Sequence, residues 1–209
     1  MKSVSIIDYG MSNLLSICRA FEHIGAKVNI VTKYEEIIHS DYLVLPGVGA
    51  FPDGMNELNS RKLPEGIHEF VKTGKPLLGV CLGMQMLLSK GFEHTEILGL
   101  NLIEGEVLAL PKDELNFKVP NINWHEVIEP SENKWLNTIF KETPNNSFFY
   151  FVHSYFAQPK FEDNILSKTN FGRLNFASAI QKNNVMGTQF HPEKSGKNGL
   201  RLIESFLEF

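Results

Sequence analysis

The chain has 209 residues, 43% of them hydrophobic and 21% charged, a length that suits one α/β domain and a composition that excludes a disordered chain. Its formal net charge is −4 and Lys and Arg never run longer than a pair, which excludes the electrostatic footprint of a nucleic-acid or anionic-membrane binder. The N-terminal run of Val4, Ile6 and Ile7 meets Asp8 at once, too early for a signal-peptide core, and no apolar stretch approaches the roughly 20 residues of a membrane helix, so a cytoplasmic protein is expected.

Residues 4–7 read as a buried strand, 13–24 as a helix ended by Gly25, and 27–31 as the next strand. A strand over 42–45 stops at Pro46-Gly47, and a helix over 64–72 is closed by Gly74. Residues 76–80 form a strand that runs straight into Cys81-Leu82-Gly83 and a helix over 84–89. Strands alternating with helices imply an α/β fold with a mostly parallel central sheet flanked by helices, because parallel neighbours need crossover connections. From about Leu100 the texture changes to short β-like runs at 104–110, 125–128, 147–152, 176–180 and 185–189, so an antiparallel extension is expected. The last helix, over 199–209, places Leu200, Ile203, Phe206 and Leu207 on one face that docks on the sheet. No repeat, low-complexity tract or linker divides the chain, which gives a single domain over 1–209.

The two cysteines, Cys18 and Cys81, sit at unlike places and do not read as a disulfide framework. Cys18, beside Ile17 and near Phe21, reads as a buried inert thiol. Cys81 lies between Gly79 and Gly83 at the join of strand and helix. That is the pattern of a nucleophile elbow with Cys in place of Ser, although a plain structural turn shares it. On the elbow reading, glycines let strand, helix and substrate approach closely, and the helix start directs its positive end at the sulfur.

Thr188-Gln189-Phe190-His191-Pro192-Glu193 adds an imidazole at a strand end with a carboxylate two residues on, and Pro192 biases His191 toward extended angles. Alone, this is also a histidine followed by an acidic helix cap. A cysteine nucleophile needs a base, and the base needs an acceptor that fixes its tautomer; Cys81, His191 and Glu193 fit those three roles. Leu45-Pro46-Gly47-Val48-Gly49-Ala50-Phe51 is a strand end with two glycines around one valine. It is either a turn, or a segment whose peptide plane rotates to aim a backbone N–H at an oxyanion, with Leu82 N–H as second donor.

Residues 79–85, Gly-Val-Cys-Leu-Gly-Met-Gln, and 189–195, Gln-Phe-His-Pro-Glu-Lys-Ser, together resemble the class I, triad-type glutamine amidotransferases. The segments 7–13, 46–51 and 150–155, with Val119-Pro120 and Trp124, extend the likeness along essentially the whole chain to the glutaminase subunits of imidazole glycerol phosphate synthase. The resemblance implies the flavodoxin-like fold of that family, a Cys81, His191 and Glu193 triad, and oxyanion donors at Val48 and Leu82. It implies glutamine binding by Gln85 with Gly49, His153, Ser154 and Tyr155, and a partner interface at Tyr9, Asn13 and the Trp124 loop. The implied partner is a cyclase-like (β/α)8-barrel subunit in a heterodimer that receives ammonia and makes imidazole glycerol phosphate and AICAR for histidine biosynthesis. No cofactor and no metal is implied. The Pro46–Gly49 segment would become donor-ready only when the partner holds its acceptor, leaving the lone chain nearly idle.

One departure stands out. The family usually carries His-Met-Gly-Trp-Asn after the proline, where this chain has Asn121-Ile122-Asn123-Trp124-His125. Paralogues that supply ammonia to a sugar amidotransferase in surface-polysaccharide pathways are therefore an alternative. Peptidases with a similar elbow and a catalytically inactive scaffold homologue are the alternatives of other classes, and the Gln85 and His-Pro-Glu features argue against the peptidases.

Overall fold

The computed structural model describes residues 1–111 and 118–209. The first half alternates as expected: β1 (Ser3–Ile7), α1 (Leu14–His23), β2 (Lys27–Val31), α2 (Tyr34–Ile38), β3 (Tyr42–Gly47), α3 (Phe51–Ser60), α4 (Leu63–Lys72), β4 (Leu77–Cys81) and α5 (Leu82–Met86). The second half is richer in strands: β5 (Lys90–Gly91), β6 (Ile97–Leu98), β7 (Gly105–Ala109), β8 (Asn121–Val127), β9 (Ser147–His153), β10 (Tyr155–Pro159), β11 (Ile165–Phe171), β12 (Leu174–Lys182) and β13 (Val185–Thr188), closed by α6 (Gly196–Leu207).

The main sheet runs β2-β1-β3-β4-β13-β12-β10-β7-β5-β6, with β11 beside β12. Strands β2, β1, β3, β4 and β13 are mutually parallel, and pairing turns antiparallel at β12. The expected parallel core with an antiparallel extension is what forms. Strands β8 and β9 pair with each other in a separate antiparallel ribbon, tied to β11 through an Ile128–Lys168 bridge.

Alternate residues of the central strands feed two cores, one on each face. Val44 points with Ile17, Phe21, Leu202 and Phe206 of α1 and α6, while Leu43 and Leu45 point with Ile37, Phe51, Leu58, Ile67 and Phe70 of α2 to α4. Each fully buried side chain of this size contributes roughly 1.5–3 kcal/mol, so the amphipathic helices are held chiefly by the sheet they cover. Asn13 serves as the cap of α1, its side chain accepting from the Ser16 N–H at 3.4 Å, rather than as a residue of the helix itself. Gly25 and Gly74 follow α1 and α4 with φ of +82° and +79°, as helix-ending residues should.

Three differences from expectation bear on the site. Strand β3 continues through Pro46 and Gly47, which face Val80 and Cys81 of β4. The β1 pairing has ended at Val44, so the N–H that proline lacks is not needed there. Helix α5 is short because the carbonyls of Met86, Leu87, Leu88 and Ser89 accept from backbone N–H groups of residues 99–103 instead of continuing the helix. Finally, Trp124 lies on strand β8 and not in a loop.

Candidate active site

Cys81 sits where β4 passes into α5, with φ 54° and ψ −109°. A non-glycine residue held at such angles costs of order 1–3 kcal/mol, which the surroundings must over-determine. They do so by close backbone packing. A Cβ on Gly83 would fall 1.7 Å from the Leu45 carbonyl oxygen, and one on Gly79 would fall 2.8 Å from the Gly83 backbone. Strand, turn and helix therefore meet at a separation only glycine allows, and the thiol is pushed to the top of the sheet.

His191 follows β13, the neighbour of β4, in extended conformation with φ −98° and ψ 95°, as Pro192 requires. Its N–H donates to Tyr150 O at 2.9 Å, and its carbonyl accepts from Ser195 Oγ at 2.6 Å. Ser195 Oγ in turn accepts from the Tyr150 N–H at 3.0 Å. The backbone of His191 is thus clamped before any contact of its ring is counted. Nδ1 lies 2.8 Å from Glu193 Oε1 and both side chains are buried. With Nδ1–H donating to the carboxylate, Nε2 is left as the basic nitrogen, and it makes no hydrogen bond of normal geometry to another protein group.

Burial pulls the His191 pKa down, but the charge of a Cys81 thiolate, hydrogen bonding to it and the Glu193 carboxylate outweigh that and raise it to about 10. A histidine raised this way is built to take and keep the thiol's proton. Cys81 as a residue is 7% exposed. Its sulfur lies 3.7 Å from Val152 O and 3.8 Å from the Gln189 side-chain nitrogen, which donates toward it.

The thiol opens into a cavity of about 350 Å³ lined by Val48, Gly49, Cys81, Leu82, Gln85, Glu93, Pro120, Val152, His153, Ser154 and Tyr155. Every residue expected to bind glutamine or an oxyanion lies on this wall. Gln85 Nε2 donates to Tyr155 O at 2.9 Å and to Gln189 Oε1 at 3.1 Å, joining the elbow helix to the far wall. Glu93 was not legible beforehand. It follows the short strand β5, its Oε2 accepts from Phe51 N–H at 2.7 Å, and its carboxylate is the only acidic side chain on the wall among the described residues. No spacing to another motif residue marks it.

The Val48 N–H does not face the cavity. It donates to Met11 O at 2.9 Å, so only the Leu82 donor belongs to an elbow already formed. Gly47, with no side chain of its own, leaves the Gly47–Val48 peptide that carries this N–H free to turn.

His153 is buried, and burial lowers its pKa to about 4, more than the Tyr155 carbonyl bond to Nδ1 raises it. That bond is 2.8 Å; on the other edge Nε2 lies 3.0 Å from Asn121 Nδ2, and Asn121 Oδ1 lies 2.7 Å from His125 Nε2. Asn121 and His125 are the two positions at which the chain departs from the His-Met-Gly-Trp-Asn pattern by exchange. Because the two side chains bond to each other, the exchange preserves the contact.

The expected interface residues divide. Asn13 is exposed and Trp124 is 46% exposed beside Ile122 at 58%, but Tyr9 is fully buried. Tyr9 packs beneath Gly47 and cannot touch a partner directly, which corrects that expectation: the turn after β1 folds the ring inward. Cys18 is half-buried rather than buried, and burial and the nearby Glu22 raise its pKa, keeping it a thiol. Among the described residues no group of three His, Cys, Asp or Glu side chains is arranged to hold a metal ion, and no helix is long and apolar enough to cross a membrane.

The family model for glutamine amidotransferase class-I matches residues 5–208. The imidazole glycerol phosphate synthase subunit HisH 1 of Legionella pneumophila strain Lens is 48% identical over 100% of both chains. Subunit HisH of Methanosarcina barkeri is 45% identical over 100% of this chain and 99% of its own. The structure of PurLQS from Thermotoga maritima superposes with a TM-score of 0.74 at 19% identity, covering 99% of this chain and 98% of that one, a likeness of fold. The chain belongs to the class-I glutamine amidotransferase family.

Proposed function

We propose that this protein is the glutaminase subunit of an imidazole glycerol phosphate synthase, hydrolysing glutamine in the cytoplasm and passing ammonia to a cyclase-like (β/α)8-barrel partner in a heterodimer. Cys81 opening into the cavity, with His191 interacting with its charge and Glu193 bonded to that imidazole, carries the reading, and the end-to-end relatives that bear the synthase name support its pathway. Those names do not favour the sugar-amidination alternative, and an intact triad does not favour an inactive scaffold.

Glutamine enters with its side-chain amide against Cys81. Its α-ammonium pairs with Glu93, and its α-carboxylate meets the backbone of Gly49 and of residues 153–155. The thiolate attacks the amide carbon, and the oxyanion is held by the Leu82 and Val48 N–H groups, each such donor being worth about a hundredfold to a thousandfold in rate. His191 protonates the departing ammonia, then activates the water that cleaves the thioester and releases glutamate.

In the isolated chain the Val48 donor is held by Met11 O, so the oxyanion site is half-assembled and turnover is slow. Ammonia released into water near neutral pH becomes ammonium, which has no lone pair to attack with, so an enclosed path to the acceptor is needed. The ribbon β8–β9 provides a covering surface: Ile122, Trp124 and Phe148 are exposed apolar side chains, and Val152 of the same ribbon lines the cavity. Exposed clusters of this kind mark protein interfaces.

Rescue of a histidine-requiring strain that lacks its own glutaminase subunit tests the assignment, supplied with the cyclase subunit from the same source as this chain. Growth without histidine is expected for the wild type and not for Cys81→Ala. Failure of the wild type, with both subunits present and folded, would refute the pathway.

A further inference from the structure

Tyr9 is the bulkiest buried polar side chain near the elbow that the mechanism above leaves without a task. Its ring is fully buried, and its hydroxyl has no hydrogen-bond partner. Such a group costs roughly 1–3 kcal/mol relative to a paired one, so an unpaired phenol next to an active site calls for a reason. Burial first and the Cys81 charge second hold its pKa far above the ordinary value, so the hydroxyl is a donor at any working pH.

Its position gives the reason. A Cβ on Gly47 would lie 2.3 Å from the Tyr9 hydroxyl and 2.9 Å from Leu82 Cβ. The hydroxyl therefore rests against the residue whose carbonyl forms one peptide unit with the Val48 N–H. That N–H is bonded to Met11 O, two residues beyond Tyr9. For the N–H to reach an oxyanion, the Gly47–Val48 peptide must turn over. The Gly47 carbonyl then points away from the cavity, toward the side where Met11 O had been its N–H's acceptor. Two carbonyl oxygens facing one another repel, and a buried carbonyl without a donor is costly.

We infer that the Tyr9 hydroxyl is the latch of the oxyanion segment: unpaired in the resting state, it donates to the Gly47 carbonyl once the Gly47–Val48 peptide has turned its N–H toward the substrate. One polar group is thus unsatisfied in each arrangement in turn, and the cost of turning the peptide is offset by the bond the phenol gains. Tyr9 is a positioning residue, acting on the oxyanion donor and not on glutamine. A glycine at 47 is required by the same contact, because any side chain there would displace the phenol.

This inference rests on the reading that the partner activates the glutaminase, and Tyr9→Phe in the reconstituted complex tests it. Glutamate release is measured with and without the cyclase subunit and its acceptor substrate. The fold-stimulation is expected to drop about tenfold, through kcat and not through KM for glutamine, the effect of losing one buried hydrogen bond. The thermal midpoint of the uncomplexed chain is expected to stay level or rise, since the hydroxyl removed is unpaired there. Full stimulation of Tyr9→Phe beside a stimulated wild type overturns the latch alone, and so does a fall in thermal midpoint, which would mean the hydroxyl is already paired at rest. A wild type with equal rates in both conditions overturns the activation reading and the latch with it.

Discussion

Nδ1 of His191 lies 2.8 Å from Oε1 of Glu193, both side chains almost wholly buried, and this contact decides which ring nitrogen faces the sulfur. A carboxylate can only accept, so Nδ1 carries the proton and Nε2 is the base. Glu193→Gln keeps the shape but presents an amide that can donate, which favours the opposite tautomer. We expect kcat to fall about a thousandfold to ten-thousandfold with the fold intact. Steady-state glutaminase assays of the complex check it, and a loss under tenfold would mean that Glu193 does not orient the base.

The charges that flank His191, Cys81 first and Glu193 second, shape the dependence of stability on pH. The unfolded His191 titrates near its ordinary value of 6.5, the folded one near 10. Because the folded pKa is the higher, the contribution is full below pH 6.5 and is lost as pH climbs through about 10. The advantage in thermal midpoint of wild type over His191→Gln should therefore shrink steadily from pH 6 to pH 10. An advantage that is flat or grows over that range would show that no imidazolium is held in the native state.

Gly83 tests the packing that forces Cys81 into its strained turn. Its added Cβ would meet the Leu45 carbonyl of β3 at 1.7 Å, and α5 is held close to β3 because it continues directly from β4, the strand paired with β3. Gly83→Ala should cost about 3 kcal/mol or more, the upper range for overpacking. Gly25 is the contrast: φ is +82° but nothing lies within 4 Å of its added Cβ, so Gly25→Ala should cost only the left-handed penalty of about 1–2 kcal/mol. Denaturant unfolding of both variants checks the order, and equal costs would refute the close approach as the cause.

What the sequence revealed follows from how locally each feature is encoded. Strands β1 and β4 and helices α1 and α6 were legible because their apolar period is set by the sheet they touch, and Gly79, Cys81, Gly83, His191 and Glu193 because a tight turn and a proline-held base leave fixed spacings. Helix α3 was not legible: Pro52, Gly54, Asn56 and Asn59 weaken its pattern, and burial of Phe51, Met55 and Leu58 holds it. Strands β10 and β11 were missed as well, since residues 155–159 and 165–171 gain their pairing from β7 and β12. Glu93 joins the cavity only through tertiary folding. Tyr9 was placed at the partner interface by the family resemblance alone, and only the fold shows the ring turned inward.

Neutral His153 donates from Nδ1 to Tyr155 O, the carbonyl that also accepts from Gln85 Nε2 at 2.9 Å, so His153 Nε2 needs a donor. Asn121 supplies it, with its amide oriented by His125 through Oδ1. With amide and ring atoms assigned in this way, each of the three contacts from His125 through Asn121 and His153 to Tyr155 pairs a donor with an acceptor. Asn121→His alone places two imidazoles side by side, and His125→Asn alone removes the group that orients the amide. Each should cost about 1–3 kcal/mol through a buried group left unpaired and raise KM for glutamine, because residues 153–155 line the site. The double variant restores a histidine–asparagine pair in the opposite order and should recover most of both losses, with a coupling of about 0.5–3 kcal/mol in a double-mutant cycle. Losses that simply add would show that the two side chains act independently and that the exchange in this chain is neutral drift at two unrelated positions.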